Sequence, residues 1–196
     1  MPNAVEHRVD VVVTGLSTAG FVVLAATCGT GAGRMERRSF EEANDGGERS
    51  WLRVPQQLGT PWALVATTAL MALRRRPRDA AAAAAALPVE KGLEVLTKKL
   101  LERPRPVRMV AAELRDDAPA DGPSFPSGHS AIATASAYLL ARTWPTPVGA
   151  ALLAVTALSS YVRVRQGAHW PTDVVAGACL GAAVAGGLRI TARAAA

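Results

Sequence analysis

Two histidines, a carboxylate and several cations recur in this sequence at spacings suited to work on a phosphate group. The first cluster is Lys98-Lys99-Leu100-Leu101-Glu102-Arg103-Pro104-Arg105-Pro106. Lys98 and Arg105 stand seven residues apart, near two helical turns, although the prolines are expected to end a helix before Arg105. Two cations converging at a helix end hold a phosphate dianion well, Arg by its planar fork and Lys as a point charge. The second cluster is Pro126-Ser127-Gly128-His129, followed by an apolar run. Ser and Gly at a helix start leave backbone N–H groups free, at the end of the dipole that favours anions. Gly128 lets the backbone come close to a ligand, and His129 is placed to give a proton to a leaving oxygen. The third is Arg163 with His169-Trp170-Pro171-Thr172-Asp173. Asp173, four residues beyond His169, can fix the imidazole tautomer and stabilise the cation formed when histidine attacks.

Each cluster also has a plainer meaning when taken alone. The first reads equally as a basic juxtamembrane loop, and the second as a capped helix with an incidental histidine. The third reads as an interfacial anchor built on Trp170. The chemical reading gains weight only if the three segments meet.

The apolar runs between them say how they meet. Charged residues are absent from residues 11–33, 54–73, 122–141 and 143–162. Each gap approaches the roughly 20 residues that a helix needs to cross a bilayer. A soluble fold would break such runs with charges on each solvated face. The expected fold is all-α, an integral membrane bundle of about six transmembrane helices, at residues 11–28, 57–73, 80–100, 127–141, 146–163 and 171–188. The 196 residues suit one such bundle as a single domain spanning 1–196, with the chemistry confined to 98–173. The third span carries Pro88, Glu90, Lys91 and Glu94, so its polar side must face the bundle interior or a watery cleft. The first span has Glu6 and Asp10 offsetting Arg8, unlike a cleaved leader, and reads as a retained span.

Topology follows from the basic residues. Arg74-Arg75-Arg76-Pro77-Arg78, Arg142 and Arg189 flank spans and belong in the cytoplasm. Six spans then bring Lys98, Arg105, Ser127, Gly128, His129, Arg163, His169 and Asp173 to the outer face of a multi-pass cell-membrane protein. The mixed-charge segment 34–53 falls on that face too, where it lies along the interface or forms a lid. The net charge of +6 sits in short loops rather than on a basic helix face with interleaved aromatics, which argues against a nucleic-acid partner. Cys28 and Cys179 lie in apolar stretches and read as small buried hydrophobes rather than a disulfide or metal site.

Taken together, Lys98 with Arg105-Pro106, then Pro126-Ser127-Gly128-His129, then Arg163 with His169 and Asp173, resemble the type 2 phosphatidic acid phosphatase superfamily. The resemblance implies a lipid phosphatase in which Lys98, Arg105 and Arg163 bind phosphate oxygens, helped by Ser127 and Gly128. It further implies that His169 attacks phosphorus, Asp173 supports it and His129 protonates the leaving group, with neither metal nor other cofactor. Two departures stand out. Val162 occupies a position where the family usually has Ser, and the repeated Arg-Pro offers Arg103 as an alternative to Arg105, which alone has a lysine seven residues upstream. The expected substrate is a membrane lipid phosphate: a polyprenyl phosphate or diphosphate, phosphatidic acid or phosphatidylglycerol phosphate. A phosphotransferase acting on an alcohol, a haloperoxidase and a non-catalytic lipid-binding protein are the rival readings.

Overall fold

The computed structural model describes residues 4–27, 31–46, 50–116 and 118–195. Cys28 lies outside them. Among these residues every regular element is helical. Helix α1 (Ala4–Thr27) leads into the short α2 (Arg34–Asn44) and α3 (Arg53–Gln56). Then follow α4 (Pro61–Leu73), α5 (Pro77–Leu101), α6 (Gly128–Ala141), α7 (Thr146–Arg165) and α8 (Pro171–Ala194). Prolines open α4, α5 and α8, where a missing N–H costs nothing. As the Arg-Pro repeat predicts, α5 stops at Leu101 and Glu102 turns into the left-handed region, with φ 45°.

A helix therefore stands at each of the six expected positions, but the described residues do not give six helices of membrane-spanning length and apolarity. Helices α1, α7 and α8 are each long and apolar enough to cross a membrane. Helix α4 is apolar but only 13 residues long. Helix α5 has 25 residues and turns Glu90 and Glu94 into the bundle, as its polar stripe requires. Helix α6 is the axis, with 11 of its 14 residues buried among α4, α5, α7 and α8.

Small residues bring these helices close together. A Cβ added to Gly181 would lie 2.1 Å from the Ala131 carbonyl oxygen, and one on Gly177 2.2 Å from that of Ser127. The Gly177–Gly181 pair on one face of α8 thus sets its approach to α6, a device common in membrane bundles. Around this contact Ala82, Ala83, Ala86, Ala131 and Ala135 pack with Leu64, Ile132 and Leu139. Cys179 is a free thiol at the α1–α8 contact, beside Gly20.

The polar residues separate to the two ends. At one end, Asp10 of α1 accepts from the Tyr138 hydroxyl at 2.6 Å and lies 3.3 Å from Arg142, Arg189 and Arg193. Arg189 also pairs with Asp79 at 2.7 Å, and Arg193 with Glu6 at 2.7 Å. The Arg74–Arg78 turn joins α4 to α5 at this same end. All three sequence clusters gather at the other end, and the charged segment is with them. Helix α2 lies across the C-terminus of α7 and the start of α8, with Phe40 against Trp170 at a ring separation of 5.1 Å. Asn44 donates to the backbone carbonyls of Arg165 and Glu113, each at 2.9 Å, and Arg165 donates back to the Gly46 carbonyl at 2.9 Å.

Candidate active site

His169 sits in the turn between α7 and α8 and is buried. Its Nδ1 lies 2.8 Å from the carbonyl oxygen of Ser124. A carbonyl can only accept, so Nδ1 carries the proton and Nε2 keeps its lone pair. The sequence suggested Asp173 for this orienting task, but the nearer Asp173 oxygen stands 3.6 Å away. Asp173 is instead committed elsewhere: Oδ2 accepts from the Trp170 backbone N–H at 2.8 Å and Oδ1 from Arg103 at 2.5 Å. It acts on the imidazole through its charge and by fixing the start of α8. Burial pulls the His169 imidazole down to about 4, with the Arg105 and Arg163 charges adding to the effect and Asp173 opposing it. The ring is therefore neutral at physiological pH, the state in which it can attack.

The two arginines of the Arg-Pro repeat have different surroundings. Arg103 is fully buried and donates to Asp173, to Thr172 Oγ1 at 2.7 Å and to Glu36 at 2.7 Å. Burial alone would lower its guanidinium, but Asp173 and Glu36 hold it above the ordinary value. Arg105 is held by neutral acceptors, the carbonyl oxygens of Ala168 at 2.6 Å, Asp121 at 2.8 Å and Pro123 at 3.2 Å. Burial depresses its guanidinium against the pull of Asp173, Glu94 and Asp121. Among the described residues, no carboxylate lies within ion-pairing distance of Arg105. Its hydrogen bonds tie the turn before His169 to the segment before Ser127.

Lys98 and the start of α6 complete the cradle. The Lys98 ammonium donates to Glu94 at 2.6 Å, and Lys91 donates to the other oxygen of the same carboxylate at 2.7 Å. That carboxylate lies against Gly128, where an added Cβ would come within 2.5 Å of it. A carboxylate thus bridges two ammonium groups beside the N-terminus of α6, as a phosphate could. Ser127 caps α6, its hydroxyl bonded to Ser130, so its side chain serves the helix while the first-turn N–H groups have no intrahelical acceptor. His129 is half-buried beside Gly59, within electrostatic reach of His169, Arg163, Lys91 and Glu94. Arg163 is buried near the end of α7 and donates to Gln166 Oε1 at 2.6 Å. Gln166 in turn donates to Gln56 and Asp116, each at 2.9 Å. Val162, the departure from the family pattern, is a buried apolar neighbour.

All eight residues singled out from the sequence thus converge at one end of the bundle. Two contributors went unpredicted, Glu36 and the Ser124 carbonyl, while Glu94 is expected inside from the sequence but not as the bridge between Lys91 and Lys98. Glu36 accepts from Arg103, from the Thr172 backbone N–H at 3.1 Å and from the Thr172 hydroxyl. The acid-rich segment 34–53 carried the signal for it, without naming the residue.

The sequence profile of the PAP2 superfamily matches residues 79–195, which contain every motif described above. The chain belongs to the PAP2 superfamily. Among its PAP2 relatives is decaprenylphosphoryl-5-phosphoribose phosphatase of Mycobacterium tuberculosis, 37% identical over 123 residues, or 63% of this chain and 67% of that protein. An undecaprenyl-diphosphatase of Sulfolobus acidocaldarius is 43% identical over 58 residues, 30% of this chain and 28% of that one. The fold is shared with a transmembrane PAP2-type phosphatidylglycerolphosphate phosphatase of Bacillus subtilis, at a TM-score of 0.71, 24% identity and coverage of 89% and 93% of the two chains. Aquifex aeolicus LpxE superposes with a TM-score of 0.69 at 23% identity, covering 79% of this chain and 93% of its own. This is a family of membrane lipid phosphatases, and the apolar helices α1, α7 and α8 fit a membrane protein.

Proposed function

We propose that the protein is a cell-membrane lipid phosphatase, acting as one membrane-embedded unit, that hydrolyses a polyprenyl phosphate or diphosphate through a phosphohistidine. The observation that carries this reading is the bond from His169 Nδ1 to the Ser124 carbonyl, which leaves Nε2 as a neutral nucleophile beside Arg105. Nε2 attacks phosphorus as the bond to the leaving oxygen breaks, and His129, entering as the imidazolium beside the bound phosphate dianion, gives that oxygen its proton. Neutral His129 then takes a proton from water, whose oxygen attacks the phosphohistidine. Inorganic phosphate leaves and His169 returns to the neutral imidazole. Lys98, Arg105, Arg163 and the α6 N-terminus carry the charge on the phosphoryl oxygens, the task a metal performs in other phosphatases. Asp173 stabilises the positive charge on His169. Placing the Arg74–Arg78 turn, Arg142 and Arg189 in the cytoplasm puts the site on the outer face.

Polyprenyl substrates are favoured by the two relatives whose names carry polyprenyl groups. The test is phosphate release by detergent-solubilised protein, with EDTA present, from polyprenyl mono- and diphosphates, phosphatidic acid and phosphatidylglycerol phosphate. Release from the polyprenyl esters that survives EDTA and disappears in His169→Ala is expected. Dependence on added metal, or wild-type release by the variant, would contradict the mechanism.

A further inference from the structure

Two clefts open on the lipid-facing side of the bundle, one after the other along α7. The first, about 440 Å³, lies between α7 and α8 and starts beside the site, at Val164, Pro171 and Val174. Pro171 is two residues from His169. The second, about 680 Å³, lies between α7 and α1 and ends at Tyr138, Arg142 and Trp144, beside the far cluster. Thr134 of α6 and Leu153 of α7 line both. The two clefts therefore adjoin at these residues and follow one another along α7 over α6, so that a chain lying in both would occupy one groove. From Val164 to Thr146 the two clefts cover 18 residue steps, or about 27 Å at 1.5 Å per step, close to the roughly 30 Å of a whole hydrocarbon layer.

This length selects an occupant. An acyl chain anchored at the outer surface ends near the bilayer midplane and would leave the far half of the groove unfilled. An isoprenoid of ten or more units can follow it into the second leaflet. We infer that the groove formed by α6, α7, α8 and α1 is the tail site for the single long polyprenyl chain of the substrate, with its distal half reading chain length. This rests on the phosphatase reading and adds to it how the enzyme selects long isoprenoids over diacyl lipids. It also accounts for the wall of the groove: Leu153, Tyr161 and Val175 stay exposed, so a chain can enter sideways from the bilayer without threading.

Ala157 and Ala150 line the groove from exposed positions on the Val164 face of α7, at seven-residue intervals, about 10 and 21 Å from the site end. Tryptophan at either position fills the groove without entering the core, so both variants are expected to fold. The experiment compares kcat/KM for phenyl phosphate, farnesyl phosphate, dioleoyl phosphatidic acid and decaprenyl phosphate in the wild type, Ala157→Trp and Ala150→Trp. Ala157→Trp is expected to lower kcat/KM for all three lipids and spare phenyl phosphate. Ala150→Trp is expected to lower it about tenfold for decaprenyl phosphate alone, within about twofold of wild type for the shorter substrates. An unchanged decaprenyl rate in Ala150→Trp, or an equal loss for farnesyl phosphate or phosphatidic acid, would overturn the tail site while leaving the phosphatase intact. Failure of the wild type on every ester, phenyl phosphate included, would overturn the phosphatase reading and the tail site together.

Discussion

The bundle buries charge at both ends and resolves it in two ways. At the far end Glu6, Asp10 and Asp79 face Arg142, Arg189 and Arg193, so each charge ends against its opposite. At the motif end, Arg105 is held by three carbonyl oxygens. Neutral acceptors fix a guanidinium without cancelling it, and the remaining positive potential can bind an anion. The buried imidazole fits this, since His169 stays neutral partly because Arg105 and Arg163 are close. The far end behaves as architecture: Asp10 is the buried residue of α1, and its contacts fasten that helix to α6 and α8. The motif end departs from pairing only where a ligand would sit. Its own paired set, Glu36–Arg103–Asp173, lies behind the imidazole and holds the frame.

If the two ends divide the work in this way, substitutions should divide too. His129→Ala should lower kcat by about 10²- to 10⁴-fold with little change in Tm, since it removes an acid–base group; wild-type kcat would remove His129 from the chemistry. Asp10→Ala should do the opposite. It leaves Arg142 without its carboxylate, removes one of the partners of Arg189 and Arg193, takes the acceptor from the Tyr138 hydroxyl, and should cost about 3 kcal/mol of stability, read by thermal denaturation in detergent. Its kcat for phenyl phosphate, which does not reach the far end, should stay within about twofold of wild type per folded molecule at low temperature, and a larger fall would mean that the far end takes part in the chemistry. Glu36→Gln tests the frame behind His169. It keeps the shape but loses the charge that orients Arg103, so kcat should fall about tenfold with KM unchanged. A rise in KM at constant kcat would place Glu36 with substrate binding instead.

The smallest effect concerns pH. A histidine at its ordinary value of about 6.5 would lose about 25-fold of its neutral form between pH 7 and 5. With His169 pulled down to about 4, it stays neutral across that range. Measured in His129→Ala, where no acid titrates beside it, the rate of phosphoenzyme formation, corrected for ionisation of the substrate, should therefore change less than about twofold. A 25-fold fall would show an imidazole of ordinary basicity.

Much of this division was legible in the sequence. Apolar runs place α1, α4, α6, α7 and α8, the alanine-rich run places α5, and parity brings the three motifs to one end, because all of these depend on residue type and chain distance alone. The polar stripe of α5 likewise predicts Glu90 and Glu94 inside. What escaped is long-range or carried by the backbone. Glu36 reaches Arg103 across 67 positions, and no local pattern separates it from the other acids of its segment. The acceptor for His169 is a main-chain carbonyl, which residue identity does not encode. The Arg-Pro repeat was ambiguous for the same reason, since only the folded chain gives Arg103 two carboxylates and Arg105 three carbonyls.

The central claim is that His169 becomes covalently phosphorylated. Brief incubation with substrate labelled at the transferred phosphoryl group, followed by an alkaline quench, preserves a phosphoramidate that acid destroys. Label that survives base, is lost in acid, maps to His169 and is absent from His169→Ala is the predicted result. Label on another residue, or turnover by His169→Ala at the wild-type rate, would contradict the account.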